Sequence, residues 1–151
     1  MKIKPALTAL LLTASPAFAD GFVPDYAMIP LASHHYGDWG EDDDDDFNET
    51  NPGLMLTWAE RAYDLNYTVG AYRDSQSDTS VHLSAAKMWK IGEYAQVGIV
   101  GAYLHSFGDG YTGVAPSIQL SYKYLFLNAA TGYDDGVYGV ISTGFIIPIG
   151  R

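Results

Sequence analysis

The sequence predicts an all-β fold, an eight-stranded antiparallel up-and-down transmembrane β-barrel, and three observations carry that expectation. The first is a strict two-residue alternation in residues 63–75, YDLNYTVGAYRDS. There Tyr63, Leu65, Tyr67, Val69 and Ala71 share one parity, while Asp64, Asn66, Thr68, Gly70, Tyr72 and Asp74 share the other. Strand side chains alternate between faces, so this stretch has an apolar wall and a polar lining. A soluble sandwich would turn its apolar set inward and charge its outside, whereas a wall of this kind suits lipid around a small tube. The second observation is that about eight such segments fit into about 125 residues with no helix-period run of note, the strand count of the smallest membrane barrels. The third is composition. Twelve Tyr, sixteen Gly and a mean hydropathy of −0.03 fit lipid-facing residues diluted by a polar interior and bordered by aromatics.

Each element follows from its own pattern. Ile29 to Tyr36 reads as a first strand with Pro30 at its start, since Pro24 and Pro30 limit any helix. Gly37 to Phe47 contains Glu41 and the run Asp42 to Asp46, whose mutual repulsion predicts a solvated loop, closed by Asn51, Pro52 and Gly53. Leu54 to Arg61 starts a second strand with Leu54, Leu56 and Trp58 on one side, and a tight connection leads to the third, residues 63–75. The fourth sets Thr79, Val81, Leu83, Ala85 and Trp89 against Ser80, His82, Ser84 and Ala86, and a turn at Lys90 to Glu93 follows. Ala95, Val97, Ile99, Gly101 and Tyr103 mark the outer face of a fifth strand. His105 to Tyr111 is a Gly-rich loop. The sixth strand sets Val114, Pro116, Ile118, Leu120 and Tyr122 against Ala115, Ser117, Gln119, Ser121 and Lys123. Tyr124 to Tyr133 is a seventh, Asp134 to Gly136 a hairpin turn, and Val137 to Ile149 an eighth. Closure is required if the walls face lipid, because an open edge leaves backbone groups unpaired in hydrocarbon. A tube of eight strands holds side chains or one slender ligand, not a wide pore.

Residues 1–19 have Lys2 and Lys4, an apolar run, and Ala17 and Ala19 flanking Phe18, the form of a secretory signal peptide cleaved after Ala19 and too short to span a membrane. The 151 residues minus these 19 leave 132, one domain from residue 20 to 151, and losing two Lys takes the formal charge from −10 to −12. There is no Cys, hence no disulfide and no thiolate metal site. The acidic balance argues against nucleic acid, whose phosphates need Lys and Arg. The expected address is the outer membrane of a Gram-negative bacterium, with membrane lipids as partners, no cofactor or metal, and a monomeric state.

Three patches carry a resemblance. IPLASHH, Ile29 to His35, has an Ile-Pro pair with a His five residues after the Pro. FNETNPGLMLTW, Phe47 to Trp58, runs from an aromatic-Asn-Glu into a Pro and Gly-bearing strand start. YRDS, Tyr72 to Ser75, places Asp-Ser at a strand's end. In order and approximate spacing they resemble the outer-membrane lipid A palmitoyltransferase (PagP-like) family. The resemblance implies a barrel whose interior holds an acyl chain, and an activity that moves a palmitoyl-like chain from a phospholipid to lipid A or a related acceptor. It also implies catalytic roles for His35, Asp74 and Ser75. Counting back from Asn48 instead of forward from Pro30 favours His34 over His35, and both stay open. The chain departs from the family in lacking an amphipathic N-terminal helix after Ala19 and in carrying Ala86 where the family has a Gly that bounds its acyl pocket; the added methyl would shorten the accepted chain.

These residue types suit acyl transfer. A base must take a hydroxyl proton and donors must hold the oxyanion. His35 would be the base, Asp74 would orient the imidazole or stabilise its charged form, and Ser75 would be a nucleophile or a hydrogen-bonding partner. Neighbours on a strand point to opposite faces, so Asp74 and Ser75 can serve one site only if the strand ends or bulges there. His82 reads as a lining residue. The Asp42 to Asp46 run attracts hard cations but lacks the Gly of a calcium loop, with Phe47 in its place, and so reads as solvated. Three other functions compete: a non-catalytic structural barrel, a lipid A deacylase using His105 and Ser106, and a soluble lipid-binding barrel.

Overall fold

A computed structural model describes residues 22–37, 47–133 and 137–150. Eight strands follow one another in chain order: β1 Tyr26–Gly37, β2 Gly53–Trp58, β3 Asn66–Arg73, β4 Thr79–Ile91, β5 Ala95–Ser106, β6 Gly113–Tyr122, β7 Leu125–Tyr133 and β8 Val137–Pro148. Every neighbouring pair is antiparallel, and β8 returns to β1 from Tyr26↔Pro148 to Gly37↔Tyr138, so the sheet closes as a barrel. The all-β, eight-stranded antiparallel barrel read from the alternation is therefore the observed one. Residues 1–19, read as a leader, the Asp42 to Asp46 run and Asp134 to Gly136, read as a turn, lie outside the described residues.

The alternation sorts the side chains as expected. On β4, Ser80, Ser84 and Ala86 are buried in the bore, and on β5 Val100 and Ala102 are buried while Ile99 is exposed outside. Val114, Ile118, Leu120, Leu127, Ile141 and Phe145 continue the exposed outer wall. Trp89, Tyr94, Tyr122 and Tyr124 stand exposed near one end, and Tyr36, Phe107 and Tyr111 near the other. At the tight-turn end, Met28, Met55 and Phe126, with Ile146 against them, fill the bore and form its floor.

Several boundaries differ from the sequence reading: β1 begins at Tyr26, not Ile29, β3 ends at Arg73, not Ser75, and β4 runs on through Lys90 and Ile91, where the sequence reads a turn. β2 ends at Trp58, not Arg61, and β3 begins at Asn66, not Tyr63. Between them Glu60, Tyr63 and Asp64 take left-handed backbone (φ 50°, 61° and 55°), and Ala62–Asp64 forms a 3-10 turn. Tyr63 and Leu65 thus leave the wall that their parity predicts, because the chain reverses there. β5 continues through His105 and Ser106, which pair with Val81 and Ser80 of β4, so the Gly-rich loop starts at Phe107.

Two seams are incompletely paired. The β1–β2 ladder runs only from Tyr26↔Thr57 to Met28↔Met55, with an isolated bridge Ala32↔Thr50 beyond it, and the β1–β8 register shifts between Pro30 and Ala32. Among the described residues the β6–β7 ladder stops at Ser117↔Ala130, and Gly113 to Pro116 of β6 have no ladder partner on that side. Pro30 and Pro116 sit at these two breaks, where a residue without an N–H is tolerated.

Candidate active site

The three residues singled out from the sequence meet at the loop end of the barrel. β1 carries His35 up to the rim. β3 ends at Arg73, and residues 74–78 form the turn to β4, closed by Asp74 N–H to the Asp78 carbonyl and Ser77 N–H to the Asp74 carbonyl. Because the strand stops one residue earlier, Asp74 and Ser75 escape its alternation and both face the bore. Ser75 Oγ lies 2.9 Å from His35 Nε2. With the imidazole neutral and its proton on Nδ1, the hydroxyl donates to Nε2, the arrangement from which a serine can lose its proton.

The two neighbouring histidines face opposite ways. His34 points out of the barrel, where its Nδ1 lies 2.7 Å from Glu49 Oε1, both side chains being more than half exposed. His35 faces inward, half-buried, with its ring stacked on Phe47 at 4.2 Å between centroids and 14° between planes. Stacking restricts the rotation of the imidazole and so holds Nε2 toward Ser75.

Asp74 is buried and does something other than hold the imidazole. Its Oδ2 accepts from Ser80 Oγ (2.8 Å) and Ser106 Oγ (2.7 Å), and its Oδ1 accepts from the N–H groups of Gln76 (3.0 Å) and Asp78 (2.9 Å). Burial alone would raise its pKa, but the hydroxyls of Ser106 and Ser80 and the N–H groups of Asp78 and Gln76 outweigh it and hold the carboxyl below the usual range. All four bonds run to the walls and to its own turn, so the carboxylate fixes the turn that presents Ser75.

The β1–β2 segment pins the same turn from the other side. Asn48 N–H donates to the Ser75 carbonyl (2.8 Å), and Asn51 Nδ2 donates to the carbonyls of Arg73 (3.1 Å) and Asn48 (3.2 Å). Ser33 Oγ donates to Asn51 Oδ1. Phe47, Asn48 and Asn51 belong to the second sequence patch, but their part in the site was not read from it. Ser80 and Ser106 were not singled out as partners of Asp74 either: the parity of β4 turns Ser80 inward, while Ser106 reads as part of the Gly-rich loop that β5 in fact extends into.

Below the rim lies a cavity of about 740 Å³, reaching from His35, Phe47, Asp74 and Ser75 to Met28, Met55 and Phe126 at the floor. Its β4 wall carries Ser80, His82 and Ser84. Ala86 is buried beneath, on the same inward parity. His105 and Ser106 do not converge: Ser106 turns inward to Asp74, while His105 packs edge-on to Phe107 on the outside (5.0 Å, 84°). Among the described residues no cluster of three or more His, Asp or Glu is placed to hold a metal ion.

Compared with known proteins, the chain matches no protein-family model and no curated sequence.

Proposed function

We propose that this protein is an outer-membrane acyltransferase that moves a fatty acyl chain from a phospholipid to lipid A or a related acceptor. The observation that carries the reading is the 2.9 Å approach of Ser75 Oγ to His35 Nε2 at the mouth of a cavity of about 740 Å³. The cavity has the largely apolar lining that an acyl chain needs, and its floor is closed by Met28, Met55 and Phe126. A donor chain lying in it puts its ester carbonyl at the rim.

His35 takes the Ser75 proton as Oγ attacks that carbonyl. The tetrahedral intermediate collapses, the lysophospholipid alcohol departs with the proton from the imidazolium, and the acyl group remains on Oγ. An acceptor hydroxyl then gives its proton to His35, attacks the acyl-serine and restores Ser75. Asp74 acts at a distance, by holding the turn that carries the nucleophile.

An outer-membrane setting is supported by the exposed apolar wall and by aromatics at both ends of the barrel. In barrels of this kind the short turns face the periplasm and the longer loops the cell exterior, which puts the site in the outer leaflet. The unpaired seams at Pro30 and Pro116 then give a lipid chain a lateral path to the bore.

The test is transfer in detergent micelles, with a phospholipid labelled in one acyl chain as donor and lipid A as acceptor, read by mass spectrometry. The wild-type protein transfers the label, and His35→Ala and Ser75→Ala each lower the rate at least about 100-fold. Equal rates in all three proteins would remove the assignment.

A further inference from the structure

Below the rim, the largely apolar bore carries a band of polar side chains. Along β4 the inward side chains run Ser80, His82 and Ser84 before Ala86 closes the series, and across the cavity Asn128 Nδ2 donates to Ser117 Oγ (3.1 Å), with Ser142 paired beside Asn128. Serine pairs satisfied in this way tolerate methylenes. His82 is different. Its Nε2 lies 2.8 Å from Ser84 Oγ and its ring stands edge-on to Tyr72 (6.5 Å, 64°), while among the described residues Nδ1 has no hydrogen-bond partner. A hydrocarbon chain that strips water from Nδ1 without replacing its hydrogen bond costs about 1–3 kcal/mol, so a plain chain lying against it is penalised and a chain bearing a hydroxyl there is not.

The height of His82 says where on the chain that hydroxyl belongs. Ser80 lies at the level of the rim, since it bonds Asp74, and His82 is two residues further in. Two residues of strand rise about 6.7 Å, or about 5 Å along a barrel axis tilted about 40° from the strands. That is the reach from an ester carbonyl at Ser75 to the first few carbons of its chain.

We propose that the cavity selects an acyl chain carrying a hydroxyl near its carboxyl end, a 3-hydroxyacyl group or close relative, and that His82 recognises it through Nδ1, positioned by Ser84. The direction of the chain rests on the acyl-transfer reading above.

Two measurements separate the inference from that reading. The first is equilibrium binding of hexadecanoic and 3-hydroxyhexadecanoic acids to the His35→Ala protein in detergent. The second is competition between phospholipids carrying each chain with the wild-type protein. The hydroxylated ligand is expected to be preferred about tenfold in both, the worth of one hydrogen bond. The preference should fall to about one in His82→Leu and be reduced in Ser84→Ala, a smaller change that keeps the test valid should the first variant not fold. Equal affinity for the two acids, or a preference that survives both substitutions, overturns the inference. A binding preference lost in His82→Leu, with no turnover of either phospholipid, upholds the inference and removes the transferase.

Discussion

At the residue scale, the Asp74 carboxylate fixes the turn that carries Ser75 through bonds to that turn and to the β4 and β5 walls. It collects two hydroxyl and two N–H bonds, and removing it leaves those four donors without their acceptor. Asp74→Ala should lower stability by about 1–3 kcal/mol, measured by urea titration in detergent, and should slow transfer while Ser75 and His35 remain. The pH dependence has a definite sign. The folded pKa lies below the ordinary value of 3.8, so the stability Asp74 contributes is complete above about pH 4. It is lost as the pH falls through the lowered folded value. The gap between wild type and Asp74→Ala should therefore narrow on acidification, and a gap that widens would contradict the hydrogen-bonding scheme. The identities of His35, Asp74 and Ser75 were legible as residues worth watching. What Asp74 holds was not, because Ser80 and Ser106 lie 6 and 32 positions away and reach it only through the β3–β4–β5 register. Ala86 offers a separate check: Ala86→Gly should lengthen the preferred acyl chain by opening space under Ser84, read from the chain-length profile of transferred product.

At the scale of elements, alternation told inside from outside on β4, β5 and β6 but could not place strand ends. Residues 63–65 continue the parity of β3 in sequence, yet left-handed backbone at Tyr63 and Asp64 spends them on a turn. At the other end, the break at Arg73 frees Asp74 and Ser75 from opposite faces, which the geometry of the site needed and which parity alone could not supply. Close strand approach also leaves marks that composition hides. Gly70 on β3 sits against β2 where an added Cβ would collide with the Leu54 carbonyl oxygen and the Met55 Cα. Gly70→Val should therefore prevent correct β2–β3 pairing, seen as loss of the folded, heat-modifiable band on gel electrophoresis. A normally folded variant would show that the strands can separate there.

For the whole molecule, the barrel was the most legible feature, because eight alternating segments and the absence of helix period leave few other ways to satisfy the backbone. The site was only partly legible: a closed barrel brings β1, β3, β4 and β5 to one rim, and no single stretch of sequence announces that convergence. An exposed apolar wall predicts that the protein folds in micelles or vesicles and aggregates when diluted into plain buffer, which far-ultraviolet circular dichroism and sedimentation would distinguish. The central claim, that Ser75 is a nucleophile activated by His35 within that rim, is tested most directly by treating the detergent-solubilised protein with a long-chain alkyl fluorophosphonate and mapping the adduct by mass spectrometry. The account predicts a single adduct on Ser75, absent in Ser75→Ala and at least about 100-fold slower in His35→Ala. No adduct, or one formed on another serine such as Ser106, would contradict it.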